Sequence, residues 1–163
     1  WGCETIINII KSNTACSLDI IFAAQHQINS RGMSIAAQNI TSDTIVFLDA
    51  VPAKIWMENT HIISGNGPVI VKHNNNGVIS QNILKKICSL AEEEKIKVQF
   101  FSGDITGPDK VIKETGKNLA SFILCIPVKY IDSTSQVCSK NDIKSAEKLL
   151  VAFIKDYAKE CFI

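Results

Sequence analysis

Ser121-Phe122-Ile123-Leu124-Cys125-Ile126 is apolar from its second residue on and shows no period of two. A strand with one wet face alternates apolar and polar residues, so this run is expected to be a strand covered on both faces. Covering takes helices, and a helix signal follows. Ile143, Ala146, Leu149, Leu150, Phe153, Ile154 and Tyr157 recur at three- and four-residue steps. That spacing predicts a helix over 141–158 with one buried stripe, capped by Asn141 or Asp142.

Working outward, the same alternation of strand and helix repeats towards the N-terminus. Residues 44–48 (Thr-Ile-Val-Phe-Leu) and 18–24 read as buried strands, and 69–72 and 97–101 as further strands. Helical spacing marks a short segment through Ile6, Ile7, Ile9 and Ile10 that stops near Ser12-Asn13, then 34–38 and 109–115. Another helix, behind Ser80 as N-cap, carries Ile83, Leu84, Ile87, Leu90 and Ala91 on one face. Gly65-Asn66-Gly67-Pro68 and Asn74-Asn75-Asn76-Gly77 are turns, since Asn and Gly tolerate positive φ. Strands separated by helices predict an α/β fold, a three-layer sandwich with a mostly parallel central sheet. At 163 residues, with neither repeat nor linker, the chain makes one domain, 1–163.

Composition excludes several classes of function. A formal net charge of +1 gives no field to gather nucleic acid or an anionic membrane. The acidic run Glu92-Glu93-Glu94 is answered by Lys95 and Lys97 and reads as a solvated helix end. No apolar run reaches the ~20 residues that span a bilayer. Without an export signal the chain is expected in the cytoplasm, where its six cysteines stay reduced. None of them forms Cys-x-x-Cys, so neither a zinc knuckle nor a thioredoxin-type motif is present.

Self-contained catalytic motifs are absent: no His-Glu-x-x-His, Gly-x-Ser-x-Gly or Walker-type loop occurs. Pro68, lacking an N–H, argues against a phosphate cradle at Gly65-Asn66-Gly67. His61 and His73 read as surface residues in polar loops. Three polar clusters are placed just after strands, where open α/β sheets hold ligands. They are Gln25-His26-Gln27, Asp49, and Lys129-Tyr130-Ile131-Asp132.

Ile126-Pro127-Val128-Lys129-Tyr130-Ile131-Asp132-Ser133 resembles the Ile-Pro-x-Arg-Tyr-Ile-His-Ser signature of the glutamyl/deblocking aminopeptidases, the tetrahedral, cellulase-M-like family. Gly65-Asn66-Gly67-Pro68-Val69-Ile70 is similar to that family's Gly-x-Gly-Pro-x-Ile. Residues 22–33 resemble its Gln-Glu-Glu-Val-Gly-x-Arg-Gly-Ala segment, and Trp1-Gly2-Cys3 the residues after its bridging Asp. The resemblance implies a zinc-peptidase-like fold truncated to the second half of the catalytic domain.

The resemblance also implies which residues would carry chemistry. Such hydrolases use two metal ions, a bridging water and a Glu as general base. His26 stands at the general-base position and Gln27 at a ligand Glu; Asp49 keeps its ligand type, and Asp132 replaces a ligand His. The first ligand His and the bridging Asp have no counterpart here. Asn29 and Arg31 are candidate binding residues in the old cleft. His26, Asp49 and Asp132 are a donor set for at most one zinc, manganese, cobalt or iron ion; otherwise no cofactor is expected. The alternative keeps His26 and Gln27 as a hydrogen-bonded cleft lining, Asp49 in a loop or cap, and Asp132 held by a Lys or backbone N–H.

The expectation is therefore a degenerate metallo-aminopeptidase-like domain without peptidase activity, serving as a binding or assembly module. Its partners would be further copies of itself or an upstream half-domain, with a peptide as candidate ligand. The competing expectation is an aminopeptidase completed by an N-terminal half. Trp56 and Met57, after Asp49, are candidates for an exposed partner patch.

Overall fold

Residues 1–12, 17–25, 30–54, 60–74, 77–103, 116 and 119–160 are described by the computed structural model of the chain. Its sheet is organised around β5 (Ala120–Lys129), the long apolar strand. β1 (Thr44–Pro52) lies parallel to β5, in register from Thr44 opposite Ala120 to Pro52 opposite Val128. On its other side β5 meets β2 (Val69–Asn74) antiparallel, with Val69 opposite Cys125. β2 in turn pairs parallel with β4 (Gln99–Ser102) and forms a hairpin with β3 (Gly77–Val78). β6 (Val137–Cys138) pairs antiparallel with the end of β5. The two longest ladders, β1–β5 and β2–β4, are thus parallel; the join between them and both two-residue strands are antiparallel.

Because side chains alternate across a strand, β5 feeds two cores. Phe122, Leu124, Ile126 and Val128 face one layer, formed by α1 (Gly2–Lys11), α3 (Gln81–Glu93) and α4 (Lys140–Glu160). Ile123 and Cys125 face the other, where Met33 and Ala37 of α2 (Arg31–Gln38) and the buried Ile62 meet Phe47 and Val51 of β1. Helices on both faces explain why this strand lacks alternation in sequence. Each buried Leu, Ile or Phe here contributes roughly 1.5–3 kcal/mol of transfer free energy. Phe122 and Phe153 add an edge-to-face contact at 4.9 Å.

Several expectations are corrected. Residues 18–24 are not a strand: the run pairs with no strand among the described residues, turns at Ala24, and exposes Leu18, Ile20 and Phe22. Apolar composition makes a strand only where a neighbouring strand accepts its hydrogen bonds. Asp19 is instead held by the hydroxyls of Thr41 and Ser42, at 3.1 and 2.8 Å. These bonds lower the Asp19 pKa, Ser42 most, by favouring the charged form. His73 lies in β2 rather than in a loop. Neither Asn141 nor Asp142 caps α4; the hydroxyl oxygen of Ser139 accepts the N–H of Asn141 at 3.2 Å. The expected helix over 109–115 lies outside the described residues, as do Trp56 and Met57.

Candidate functional site

Asp49 is inside β1, not after it, because the strand runs on to Pro52. Its neighbours two residues away, Phe47 and Val51, are buried in the α2-side core, so Asp49 faces that layer. Its Oδ1 accepts the N–H of Ala50 at 2.8 Å. Across the parallel ladder stands Cys125, fully buried. Burial pushes the Cys125 thiol well up from its ordinary pKa, and the neighbouring Asp49 charge adds to the shift.

Asp132 sits differently. β5 ends at Lys129, and the chain turns through Tyr130 and Asp132, both with positive φ (58° and 62°). The Ser133 hydroxyl donates to the Tyr130 carbonyl at 2.6 Å and its N–H to the same oxygen at 3.1 Å. Asp132 is exposed in this turn. Four residues of β5 separate Cys125, beside Asp49, from Lys129, about 13 Å of strand at 3.3 Å per residue. Arg31 opens α2, exposed, behind Ser30 at φ 48°. His26, Gln27 and Asn29 lie outside the described residues.

A dinuclear centre needs several carboxylates and imidazoles converging on one point. Among the described residues no three or more His, Cys, Asp or Glu side chains are grouped so as to hold a metal ion. Asp49 accepts a backbone N–H beside a protonated thiol, and Asp132 is exposed in a turn. The described residues do not fit the two-metal centre that the sequence resemblance implies.

A second polar constellation was not foreseen. Asp142, fully buried in the first turn of α4, accepts the N–H groups of Gly65 and Gly67 at 2.7 and 2.8 Å. The Gly65-Asn66-Gly67 turn does gather an anion, and the anion is the chain's own carboxylate. Gln99 holds the same loop from the other side, donating to the carbonyls of Ile63 and Gly67 and accepting the Ile63 N–H. The exposed His61 meets the Phe100 carbonyl through Nε2 at 2.7 Å. A Gly-x-Gly-Pro turn has N–H groups to satisfy, and that was the available signal; which acidic residue would reach them was not.

Comparisons agree with this architecture. The TET1 peptidase of Pyrococcus horikoshii, which can assemble into a tetrahedron or a large octahedral shell, superposes with a TM-score of 0.80 at 21% identity, over 94% of this chain and 46% of its own. An aminopeptidase from the archaeon Desulfurococcus kamchatkensis superposes with a TM-score of 0.82 at 20% identity, over 95% of this chain and 46% of its own. At such identities the likeness shows an α/β fold of this type.

In sequence, a "Putative aminopeptidase" of Acetivibrio thermocellus is 27% identical over 158 residues, covering 94% of this chain and 48% of that protein. The profile of the M42 glutamyl aminopeptidases matches residues 1–149. The chain belongs to this metallopeptidase family, and it spans about half the length of the relatives it matches. Among the described residues no helix is long and apolar enough to cross a membrane.

Proposed function

We propose that the chain is a non-catalytic, peptidase-derived module that works by binding and assembly. The observation that carries this is chemical. By the family resemblance, His26, Gln27 and Asp132 stand as substitutions at catalytic or ligand positions, and Asp49 alone keeps its residue type. A neutral Gln oxygen is a poor ligand for a hard or borderline cation. Assembly with further copies, or with a half-domain like the part of the relatives left unmatched here, accompanies it; the TET1 relative is itself a shell-forming peptidase.

The test is metal content of the purified chain by elemental analysis after mild dialysis, beside Asp49→Ala, with peptide hydrolysis measured on both. Neither protein should retain a stoichiometric metal or hydrolyse peptides. Metal that disappears together with hydrolysis in Asp49→Ala would overturn the proposal. It would favour the second reading, a metal-dependent aminopeptidase completed by an N-terminal half. The retained Asp49 and the family match over 1–149 support that reading.

A further inference from the structure

Two Asn-Gly pairs occur in the chain, Asn66-Gly67 and Asn76-Gly77. An asparagine before a glycine is open to self-modification, because no side chain hinders the glycine nitrogen. That nitrogen, as it loses its proton, attacks the carbonyl carbon of the Asn side chain. A carbon–nitrogen bond forms, the side-chain nitrogen leaves as ammonia with the proton, and a five-membered succinimide remains. Water then opens the ring at one of its two carbonyls, leaving an aspartyl or an isoaspartyl residue. Water is the only co-reactant.

The two pairs differ in what holds the glycine N–H. Gly77 donates to Oδ1 of Asn74, a neutral amide oxygen, at 3.1 Å. Gly67 donates to Oδ1 of the fully buried Asp142 at 2.8 Å. A bond to a charged acceptor is the stronger kind, and a carboxylate disfavours a second negative charge beside it. The attacking nitrogen must take on such charge. Asn66 itself is exposed, so water reaches it, while Gly67 is buried. The glycine is required by packing, since a Cβ there would run into the Lys97 carbonyl. The turn thus keeps a reactive dipeptide and sets a carboxylate on the one proton whose loss starts the reaction.

We infer that Asn66 is a latent deamidation site held closed by Asp142. The carboxylate stops the Gly67 nitrogen from attacking, and Asn66 converts to aspartyl and isoaspartyl products only when this clamp opens. Either product adds a negative charge to the turn that already holds Asp142, which opposes reclosing. The modification therefore marks molecules in which the tie between the β2 approach and α4 has come apart. It stands independently of the reading of the chain as a binding module.

The test is to age the full chain in mildly alkaline buffer, folded and in urea, and to follow Asn66 and Asn76 by peptide mapping. Folded wild type should convert Asn66 at least tenfold more slowly than the chain in urea. Asp142→Ala under folding conditions should raise the Asn66 rate at least tenfold and leave the Asn76 rate near that of wild type. Gln99→Ala removes the bonds to Ile63 and to the Gly67 carbonyl but leaves the Gly67 N–H on Asp142. It should keep Asn66 slow. Should Asp142→Ala fail to fold, Asp142→Asn, with one acceptor oxygen for two donors, should still age Asn66 several times faster than wild type. Three results would each overturn the inference. They are a folded wild type that ages at the unfolded rate, a Gln99→Ala chain that ages Asn66 as fast as the Asp142 variant, and an acceleration at Asn66 matched in full at Asn76.

Discussion

Asp142 and Gly67 are 75 residues apart in sequence and joined by a 2.8 Å hydrogen bond from the glycine N–H to the buried carboxylate. The second oxygen of Asp142 accepts from Gly65. One side chain thus fixes the turn that feeds β2 and the start of α4, where a negative charge also favours the helix N-terminus. Asp142→Ala leaves two N–H groups without their acceptor. With charge-assisted bonds worth about 1.5–3 kcal/mol each and desolvation of the orphans opposing their burial, a loss of about 3 kcal/mol is expected in chemical denaturation. Asp142→Asn keeps one acceptor oxygen and should lose less. Equal losses for the two would mean that the acceptor geometry does not matter.

The two glycines of that turn should respond differently to the same change. Both have positive φ, 97° at Gly65 and 93° at Gly67. A Cβ on Gly65 meets nothing within 4 Å, whereas one on Gly67 runs into the carbonyl of Lys97. Gly65→Ala should then cost only the backbone penalty, about 1–2 kcal/mol. Gly67→Ala must also push the β4 approach aside and should be the worse of the pair by a clear margin in thermal melts. Matching melting temperatures would contradict this contact.

The elements that sequence revealed are those whose signal is local. The stripe of α4, the Ser80 start of α3 and the non-alternating run of β5 each follow from spacing that burial enforces. Segment 18–23 misled because an apolar run says that a segment wants cover, not that a ladder partner exists. Asp49 was placed one element too late for a related reason: a charged residue inside a strand goes against the usual pattern, and the register with Cys125 cannot be read from one strand alone. The Asp142 clamp was hidden because its two ends are distant in sequence. The site was legible only as residue types at family positions; that Asp49 lies within β1 and Asp132 in a turn beyond β5 depends on where those strands end.

Tyr157 ties the last helix to the start of β1. Its hydroxyl oxygen accepts from Thr44 Oγ1 at 3.0 Å, and its ring stacks on Phe153 at 6.1 Å. Tyr157→Phe keeps the ring and removes the bond, so a loss of about 1 kcal/mol is expected in urea. Phe153→Ala opens a cavity beside Phe122 and should cost roughly 3–5 kcal/mol. If the Phe variant proved as damaging as the Ala variant, the hydroxyl would be carrying more than a single bond.

Cys125 gives a prediction in both reactivity and pH. A thiol is nucleophilic as thiolate, and burial together with Asp49 keeps this one protonated. Brief alkylation followed by peptide mapping should label the exposed Cys3 and Cys138 first. Cys125 should be labelled only after unfolding. The sign of the pH effect follows from the raised pKa. Below the ordinary thiol value near 9 both states hold the proton and stability is unaffected by this group. Above it the unfolded chain loses the proton while the folded chain keeps it, so stability falls as pH rises, by up to about 1.4 kcal/mol per unit. Cys125→Ala removes the group and should flatten the alkaline limb between about pH 9 and 10.5, even though the smaller side chain lowers stability at every pH. An unchanged slope in the variant would show that some other group governs alkaline unfolding. Rapid labelling of Cys125 in the native chain would show that the β1–β5 ladder opens far more often than a buried central strand should.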